Sequence, residues 1–568
     1  MNLSQLSTIL CLLIFRIKCA RILAVFPIPS ISHQVVFRPL TQELARRGHE
    51  VVVITTDPIF PKGQAPENLT EIDVHDASYK LWRDSFVHTV EFGKEQNLYI
   101  ELEIVLNTFP KIIEMQAGMK EVQDVIYGSK FDLLLLEVCS RQALIYSHIV
   151  KAPVVQISSF GMMIGSDYIL GTPSHPILYP SGLHQRLYSL TFWEKLHEFY
   201  KHWWIEKSYS DYEGVDNEMF KRLVGNDAPA LNELRNNVDL MLLNSHPVWT
   251  NNQPWPPNVV SIWGIYRKPS MELPKDIKSY LDSSKNGVIY FSLGTNVFSS
   301  LLRPEIIQMF IDTFSKLNHD VLWKWETDVM QGKSENIKLF KWLPQSDVLK
   351  HPKIKAFITQ GGLQSTDEAI AAGVPLIGIP MLGDQWYNVE KYVYHRIGLR
   401  LDLPTLTKEK LRSAIDKVIL DPSFKQNIAK LRTIMNDDSK TGLERAVWWT
   451  EYVLRHGGAK HLRSPAYYSS YKDNIMRLRS IMRDQPESAL ERAVWWTEYV
   501  LRHGGAKHLR SPAANMSWTE YYEIEFNTEI QQQEFAHTKL ILIFISLRVS
   551  QAPAIVKQGF RKSSRVSE

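Results

Sequence analysis

The chain has 568 residues, 44% of them hydrophobic and 22% charged, which is enough for two or more globular domains. Its formal net charge of +4 gives little attraction to nucleic acid, and no zinc-finger spacing or dense basic cluster favours that class of partner. Three cysteines, two of them near the N-terminus, exclude a disulfide framework.

Residues 1–20 predict a secretory signal peptide. The apolar run from Leu6 to Phe15 ends shortly before Ala20, as the apolar part of a leader does before its cleavage site. Its charged residues follow this run instead of preceding it. We therefore expect entry to the secretory pathway, where Asn68 and Asn515 stand in sequences that can be glycosylated.

The next elements predict a βαβ unit. Arg21 to Phe26 has the pattern of a buried strand, Gln34 to Arg47 that of a helix, and Glu50 to Thr55 that of a second strand. A right-handed crossover makes the two strands parallel. The loop between strand and helix places His33 at the carboxyl end of the first strand, where a histidine either packs or acts as a general base.

Further elements extend this first domain over residues 21–265. Leu98 to Asp124 alternates apolar and charged residues at helical spacing, which predicts amphipathic helices that pack on the domain or line an acceptor pocket. A strand from Phe131 to Leu136 ends at Glu137, on the edge where His33 lies. That carboxylate is either solvated or holds the imidazole in one tautomer.

Strands and an aromatic helix complete the domain. Phe192 to Trp204 is aromatic at helical spacing, which predicts core packing or an aromatic wall for lipophilic acceptors. A proline-rich segment from His246 to Pro257 predicts a connection. The predicted strands are Val154 to Ser158, Val238 to Asn244 and Val259 to Ile265.

A second domain is predicted over residues 285–440. Its first strand, Gly287 to Phe291, leads into a turn at Gly294 and Thr295 whose backbone amides suit a phosphate. Strands alternate with helices through Leu399, as in a doubly wound sheet. Two further predicted strands are Asp320 to Trp325 and Ile337 to Trp342.

A strand, a glycine turn and a helix start follow one another in this domain. The run from Ile354 to Ile358 ends in Thr359 to Gly362, and a helix-prone segment from Ser365 to Ala372 follows. Such an arrangement binds phosphate, because a helix N-terminus presents free N–H groups. The next run, Val374 to Pro380, opens into Leu382 to Gln385, at the edge where open sheets bind ligands.

This block resembles the donor-binding signature of the UDP-glycosyltransferases. The resemblance covers roughly Arg21 to Pro465, is closest to insect-type members, and implies an α/β fold of the GT-B type. In that fold two Rossmann-like domains with doubly wound parallel sheets face a cleft, and a C-terminal helical extension follows. The matching residues are Trp342, Gln345, Gln360, Gly362, Ser365, Glu368, Asp384 and Gln385.

The resemblance gives each part of a UDP-sugar its own residues. Trp342 stacks on the uracil, Gln345 approaches the base edge or the ribose, and Glu368 accepts hydrogen bonds from the ribose hydroxyls. Because Gln360 stands where many relatives have histidine, phosphate binding relies more on amides and the helix dipole. Gln364 stands where plant relatives have asparagine. The implied pyrophosphate ligands are Gln360, Gly361, Gly362 and Ser365.

The same resemblance implies the sugar site and the reaction. Asp384 and Gln385 bind hydroxyls of the transferred sugar, Asn388 supports them, and UDP-glucose is the favoured donor. His33 takes the acceptor's proton, aided by Glu137 where relatives have aspartate, and direct displacement inverts the anomeric configuration.

The expected partners are the UDP-sugar, which is a co-substrate and not a cofactor, and a small lipophilic acceptor. No cofactor or metal is expected, since no DxD-type motif stands at the phosphate loop. Association with a membrane or with a second copy of the chain stays open. Two other readings also stay open: a UDP-sugar-binding protein without turnover, and a sugar-nucleotide epimerase.

The C-terminal part contains a duplication. Leu443 to Ala466 recurs unchanged as Leu490 to Ala513, within a second copy that spans residues 470–513. In the family this segment is the helix that returns to the first domain, and we expect the first copy to dock there. The atypical tail, residues 514–568, has an apolar run too short to span a bilayer. The expected location is the endoplasmic reticulum lumen or membrane, with a doubtful anchor.

Overall fold

The computed structural model describes residues 19–87, 92–94, 98–463, 484, 486–514 and 516–521. The chain divides into a large unit, residues 1–509, and a small one, residues 510–568, whose described part holds one short helix. The predicted leader falls outside the described residues except for Cys19 and Ala20. The apolar run of the tail and Asn515 lie outside them too.

Two parallel sheets form within the described part of the large unit. The first has seven strands in the order β3-β2-β1-β4-β5-β6-β7, and the second has six in the order β10-β9-β8-β11-β12-β13. The strands are β1 Arg21–Phe26, β2 Glu50–Thr55, β3 Leu69–Asp73, β4 Leu133–Glu137, β5 Val154–Ser158, β6 Val238–Leu243, β7 Val259–Ser261, β8 Val288–Ser292, β9 Asp320–Lys324, β10 Ile337–Phe340, β11 Ile354–Thr359, β12 Leu376–Gly378 and β13 Gly398–Arg400.

Helices cover both faces of each sheet. They are α1 Ile31–Arg46, α2 His75–Trp82, α3 Leu98–Ala117, α4 Lys120–Gly128, α5 Ile145–Val150, α6 Asp167–Leu170, α7 Phe192–Asp211, α8 Glu213–Val224, α9 Leu231–Leu234, α10 Lys275–Ser283, α11 Pro304–Phe314, α12 Gln345–Lys350, α13 Leu363–Ala372, α14 Gln385–Tyr394, α15 Lys408–Leu420, α16 Pro422–Asn436, α17 Gly442–His456, α18 Ala489–Arg502 and α19 Trp518–Tyr521. No helix among the described residues is long and apolar enough to cross a bilayer.

The prediction of two doubly wound α/β domains is confirmed. Within these two sheets every pairing of described strands is parallel, and β1 lies between β2 and β4 just as β8 lies between β9 and β11. The strand predicted over Val259 to Ile265 is shorter, because pairing of β7 with β6 ends at Ser261. The edge strand β3 was missed, since two of its five residues are exposed and its pattern is not that of a buried strand.

The strand order places functional loops at one edge of each sheet. In a doubly wound sheet the order reverses beside the first strand, and the loops leaving the carboxyl ends there turn to opposite faces and open a crevice. In the first sheet this point lies between β1 and β4, and in the second between β8 and β11. His33 follows β1, Glu137 ends β4, and Gln360 follows β11.

The first copy of the duplicated helix, α17, packs on the first domain. Ala446, Val447, Tyr452 and Val453 are buried in the same core cluster as residues of β1, β6 and α1. A capping box at Thr441 and Glu444 starts the helix by satisfying free N–H groups of its first turn. The helix therefore ties the end of the second domain back to the first.

The second copy, α18, has the same sequence and a different environment. Val494, Trp496, Val500 and Leu501 are 43–75% exposed, whereas the equivalent Val447 and Val453 of the first copy are fully buried. Tyr499 is the buried residue of this helix. Only one copy thus uses its apolar face in the core of the described chain.

The two copies exchange ion pairs reciprocally. Arg455 and His456 of the first copy bind Asp484, at 2.9 and 2.7 Å. Arg502 and His503 of the second copy bind Asp437, at 2.9 and 2.7 Å. Asp437 precedes the first helix at the same distance along the chain as Asp484 precedes the second. Each helix therefore binds the aspartate that precedes the other helix.

These environments give a matched test in identical local sequence. Val453→Ala should lower the free energy of unfolding by about 2 kcal/mol, because it opens a cavity in the first domain's core. Val500→Ala should change it by less than about 0.5 kcal/mol, since that side chain is largely exposed. Denaturant unfolding of both variants measures the difference. A larger effect from Val500→Ala would mean that the second copy is the docked one.

Candidate active site

A cavity of about 760 Å³ is lined by residues of both domains. It brings together almost all of the residues predicted from the sequence, and Glu137 and Gly361 alone among them do not line it. Those that line it are His33, Gly294, Thr295, Trp342, Gln345, Gln360, Gly362, Gln364, Ser365, Glu368, Asp384, Gln385 and Asn388. Sequence positions far apart therefore share one site.

His33 and Glu137 form a buried pair on the first domain's side of the cavity. His33 Nδ1 lies 2.5 Å from Glu137 Oε1, and the backbone N–H of Ile28 donates to Glu137 Oε2 at 3.4 Å. Glu137 is fully buried behind His33, and the edge of the imidazole meets the ring of Phe160 at 4.9 Å between centroids. The longer side chain of glutamate thus reaches the histidine. The pairing engages Nδ1 of the imidazole, and His33 Nε2 takes no part in it.

Cys139 completes the group of potential metal ligands that the described residues contain. Its sulfur and the ligand atoms of His33 and Glu137 all lie within 4.8 Å of one another. Atoms that share one zinc ion are about 3 Å apart or more, so the 2.5 Å contact between His33 and Glu137 fits a hydrogen bond better. Burial and the nearby Glu137 charge raise the pKa of the Cys139 thiol, which disfavours the thiolate a metal needs.

The turns after β8 and β11 form a cradle in the second domain. Gly294 has a φ of +77°, and a Cβ at that position would overlap the side-chain amide of Gln360. Gly362 precedes α13, whose first residues, including Ser365, line the cavity. The cradle therefore offers a helix N-terminus and a side-chain amide to an anion.

Two residues of this motif have contacts that the sequence did not indicate. The Gly361 N–H donates to Thr359 Oγ1 at 3.3 Å, and a Cβ on Gly361 would lie 2.6 Å from Val389 Cγ2. Its amide thus belongs to the turn and not to the cavity wall. Gln364 donates from Nε2 to the carbonyl of Ser159 at 3.1 Å, so its side chain links the two domains.

Gln345, Ser365 and Glu368 form one hydrogen-bond network. Gln345 Nε2 donates to Ser365 Oγ at 3.0 Å and to Glu368 Oε2 at 2.7 Å, while the hydroxyl of Tyr290 donates to Gln345 Oε1 at 3.0 Å. Burial raises the pKa of Glu368 to about 7, against the hydrogen bond from Gln345. Trp342 lies at the same end and is 65% exposed, so its ring is free to stack on a flat ligand.

Asp384 lines the same cavity and is held by Asn388, which in turn contacts the first domain. Asn388 Nδ2 donates to Asp384 Oδ2 at 2.8 Å, and Asn388 Oδ1 accepts from the indole of Trp249 at 3.0 Å. Gln385 Oε1 accepts from the N–H groups of Met381 and Leu382, which fixes the loop. Burial raises the pKa of Asp384 to about 6, while the hydrogen bond from Asn388 and then the charge of His33 lower it.

The cavity wall also contains residues that were not predicted from the sequence, among them Trp249, Tyr266 and Glu101. Trp249 lies in the segment expected to be a mere connection. Tyr266 follows β7 and donates its hydroxyl hydrogen to Asp367 Oδ2 across the domains at 3.1 Å. Glu101 lies on the apolar face of α3 yet is buried in the cavity wall. A charged residue on an apolar helix face was the signal that would have found Glu101.

Comparison with known proteins agrees with this geometry. The chain matches the family described as "UDP-glucoronosyl and UDP-glucosyl transferase" over residues 21–469 and 467–539. It is 33% identical over 465 residues to an ecdysteroid UDP-glucosyltransferase of Spodoptera littoralis nuclear polyhedrosis virus, which covers 78% of this chain and 90% of that protein. It is also 33% identical over 457 residues to UDP-glucosyltransferase 2 of Dactylopius coccus, with 78% and 86% covered.

A solved structure supports the fold. The glycotransferase of kitacinnamycin superposes with a TM-score of 0.52 over 77% of this chain and 99% of that one, at 16% identity. Two doubly wound domains with a shared cavity therefore give the chain the GT-B architecture. Within that class the chain belongs to the UDP-glycosyltransferase family and is an enzyme that uses a UDP-sugar.

The raised pKa of Glu368 predicts a pH-dependent stability of the ligand-free protein. Between about pH 4.5 and pH 7 the folded chain keeps a proton that the unfolded chain has lost, so this stabilisation is fully present below pH 4.5 and is lost as the pH rises through 7. Through this group the free energy of unfolding should fall by an amount on the order of 2 kcal/mol between pH 5 and pH 8, and Glu368→Gln should remove that fall.

Denaturant unfolding at several pH values measures that decline. Glu335→Gln, a change at an exposed glutamate of the same domain, is the matched control and should keep it. If the free energy of unfolding depended on pH in the same way in both variants, Glu368 would not be the group that keeps its proton in the folded chain.

Proposed function

We propose that the enzyme transfers glucose from UDP-glucose to a hydroxyl of small lipophilic acceptors, with His33 as general base and inversion at the anomeric carbon. The observation that carries this proposal is that His33, paired with the buried Glu137, lines the same cavity as Asp384. The relatives' names, UDP-glucosyltransferase, support glucose as the sugar.

The donor is proposed to lie along the second domain's side of the cavity. Trp342 stacks on the uracil, and the Gln345–Glu368 network receives the base edge and the ribose hydroxyls. The pyrophosphate sits in the cradle of Gly294, Thr295, Gln360, Gly362 and Ser365. The leaving UDP then carries its negative charge at the positive end of α13, which stabilises it without a metal.

His33 is proposed to activate the acceptor from the other side. Glu137 holds the imidazole with its Nδ1 proton towards the carboxylate, so that Nε2 is free to take the proton of an acceptor hydroxyl. The oxygen attacks the anomeric carbon as the bond to UDP breaks, and the α-linked donor gives a β-glycoside. Glu137 stabilises the imidazolium that forms, as a buried partner of opposite charge does.

The first domain's part of the cavity suits an apolar acceptor. Its lining there is dominated by apolar side chains of α3 and of the segment after β5, among them Leu98, Leu102, Val105, Phe109 and Met162. The viral relative's name gives an ecdysteroid as its acceptor, which supports a lipophilic substrate class.

Turnover is favoured over simple binding of a UDP-sugar. Loss of turnover would follow if the duplicated tail disturbed the fold or if glutamate, in place of the aspartate of relatives, failed to reach the histidine. The first copy of the repeat packs in the first domain's core, and Glu137 lies within hydrogen-bond distance of His33. Both observations support an assembled catalytic site.

We place this activity in the endoplasmic reticulum lumen or at its membrane. The N-terminal apolar run supports entry to the secretory pathway. Asn68 is exposed, as a glycosylated asparagine must be.

His33→Ala should lower the rate of transfer to a phenolic acceptor by at least about a hundredfold, because no base remains at the acceptor hydroxyl. Binding of UDP should stay nearly unchanged. Product formation from UDP-glucose by mass spectrometry and calorimetric titration of UDP measure the two effects. His197→Ala, at an exposed histidine of α7, is the control, and equal turnover in the two variants would refute the base assignment.

Asp384→Ala should weaken binding of UDP-glucose by about tenfold, since the sugar loses a charged hydrogen-bond acceptor. UDP, which lacks the sugar, should bind as it does to the unchanged protein. Calorimetric titrations of both ligands give the comparison, with the exposed Asp227→Ala as control. An equal loss for UDP would assign Asp384 to the nucleotide instead.

A further inference from the structure

Glu101 of α3 is an acidic side chain of the first domain that reaches the sugar-binding loop of the second. Its Oε2 accepts a hydrogen bond from the N–H of Gly383, the residue before Asp384, at 3.0 Å. The side chain is 6% exposed and lines the cavity. A second approach to the same loop comes from Gly182, where a Cβ would lie 3.4 Å from Asp384 Cβ.

One oxygen of Glu101 has no role in the fold. Oε1 is buried and has no hydrogen-bond partner among the described residues. Burial raises the pKa of this carboxyl to about 7, and only the Gly383 amide acts against it. A buried polar atom without a partner destabilises the fold, so its place in a cavity wall beside Asp384 indicates a ligand group that meets it.

We propose that Glu101 is a specificity-determining residue of the sugar subsite, where its free oxygen binds a hydroxyl of the transferred sugar and disfavours donors whose sugar bears a carboxylate. The proposal rests on the proposed function, which places the sugar at Asp384. It adds a donor-binding residue from the domain that otherwise binds the acceptor.

The selectivity follows from the chemistry of the two sugar groups. A hydroxyl both donates and accepts, so it satisfies Glu101 in either protonation state. A carboxylate only accepts at neutral pH, and it is repelled by ionised Glu101, whose burial reduces the screening of its charge by water. Asp384 adds a second carboxyl nearby, which strengthens the preference for an uncharged hexose.

Glu101→Gln separates this role from a structural one. The glutamine oxygen still accepts from Gly383, while the other oxygen becomes an NH₂ group that donates to a carboxylate. We expect the preference for UDP-glucose over UDP-glucuronate, as the ratio of kcat/KM values and as the ratio of dissociation constants, to fall at least tenfold. The affinity for UDP should stay unchanged, because UDP lacks the sugar.

Glu103→Gln is the matched control, since Glu103 is exposed on the same helix and should leave the ratio as it is. An unchanged donor ratio in Glu101→Gln, or a change confined to the KM of the acceptor, overturns the proposal. If the variant does not fold, titration of the unchanged protein still decides, because equal affinities for UDP-glucose and UDP-glucuronate refute the selectivity. Absence of UDP binding by the unchanged protein would refute the proposed function itself.

Discussion

The reversal of strand order beside β1 and beside β8 is the constraint on which the site depends. At that point neighbouring parallel strands send their loops to opposite faces, and a crevice opens between them. In the first sheet His33 and Glu137 lie at this crevice, and in the second sheet Gly294 and Gln360 lie at the corresponding one. The same topological rule thus places a histidine–carboxylate pair on one side of the cavity and the cradle of Gly294 and Gln360 on the other.

Contacts between the domains fix the position of one cavity wall relative to the other. Trp249 of the first domain donates to Asn388, which in turn holds Asp384, and Gln364 reaches the carbonyl of Ser159. The helix α17 adds an apolar tie, because it follows the second domain in sequence and packs in the core of the first. The distance between the two walls of the cavity is therefore set by contacts between the domains and by the packing of α17.

The sequence was informative where function is confined to one continuous stretch. Gln345, Ser365 and Glu368 lie within that stretch, and the structure joins them in a single network. Glu101 and Trp249 escaped notice because each joins the cavity wall only through folding, one on a helix with an ordinary apolar face and one in a connection. Hydrophobic periodicity shows which face of an element is buried, but not what that face meets.

Local patterns also could not show which groups of a motif are already engaged. Gly361 looked like a phosphate ligand from its place in the glycine turn, yet its N–H is used by Thr359. Likewise, the sequence does not distinguish the two copies of the duplicated helix. Only their packing shows that Val453 is buried, whereas the equivalent Val500 is exposed.

The crossed ion pairs of the duplicated segment bear on its stability. Asp484 serves Arg455 and His456 of the first copy, which itself belongs to the core of the first domain. Loss of the second copy would therefore remove an ion-pair partner from two residues of α17, the helix whose apolar face is buried in the first domain. The duplicated segment is thus coupled by charge to the helix whose sequence it repeats, so the two copies contribute to stability together and not as independent units.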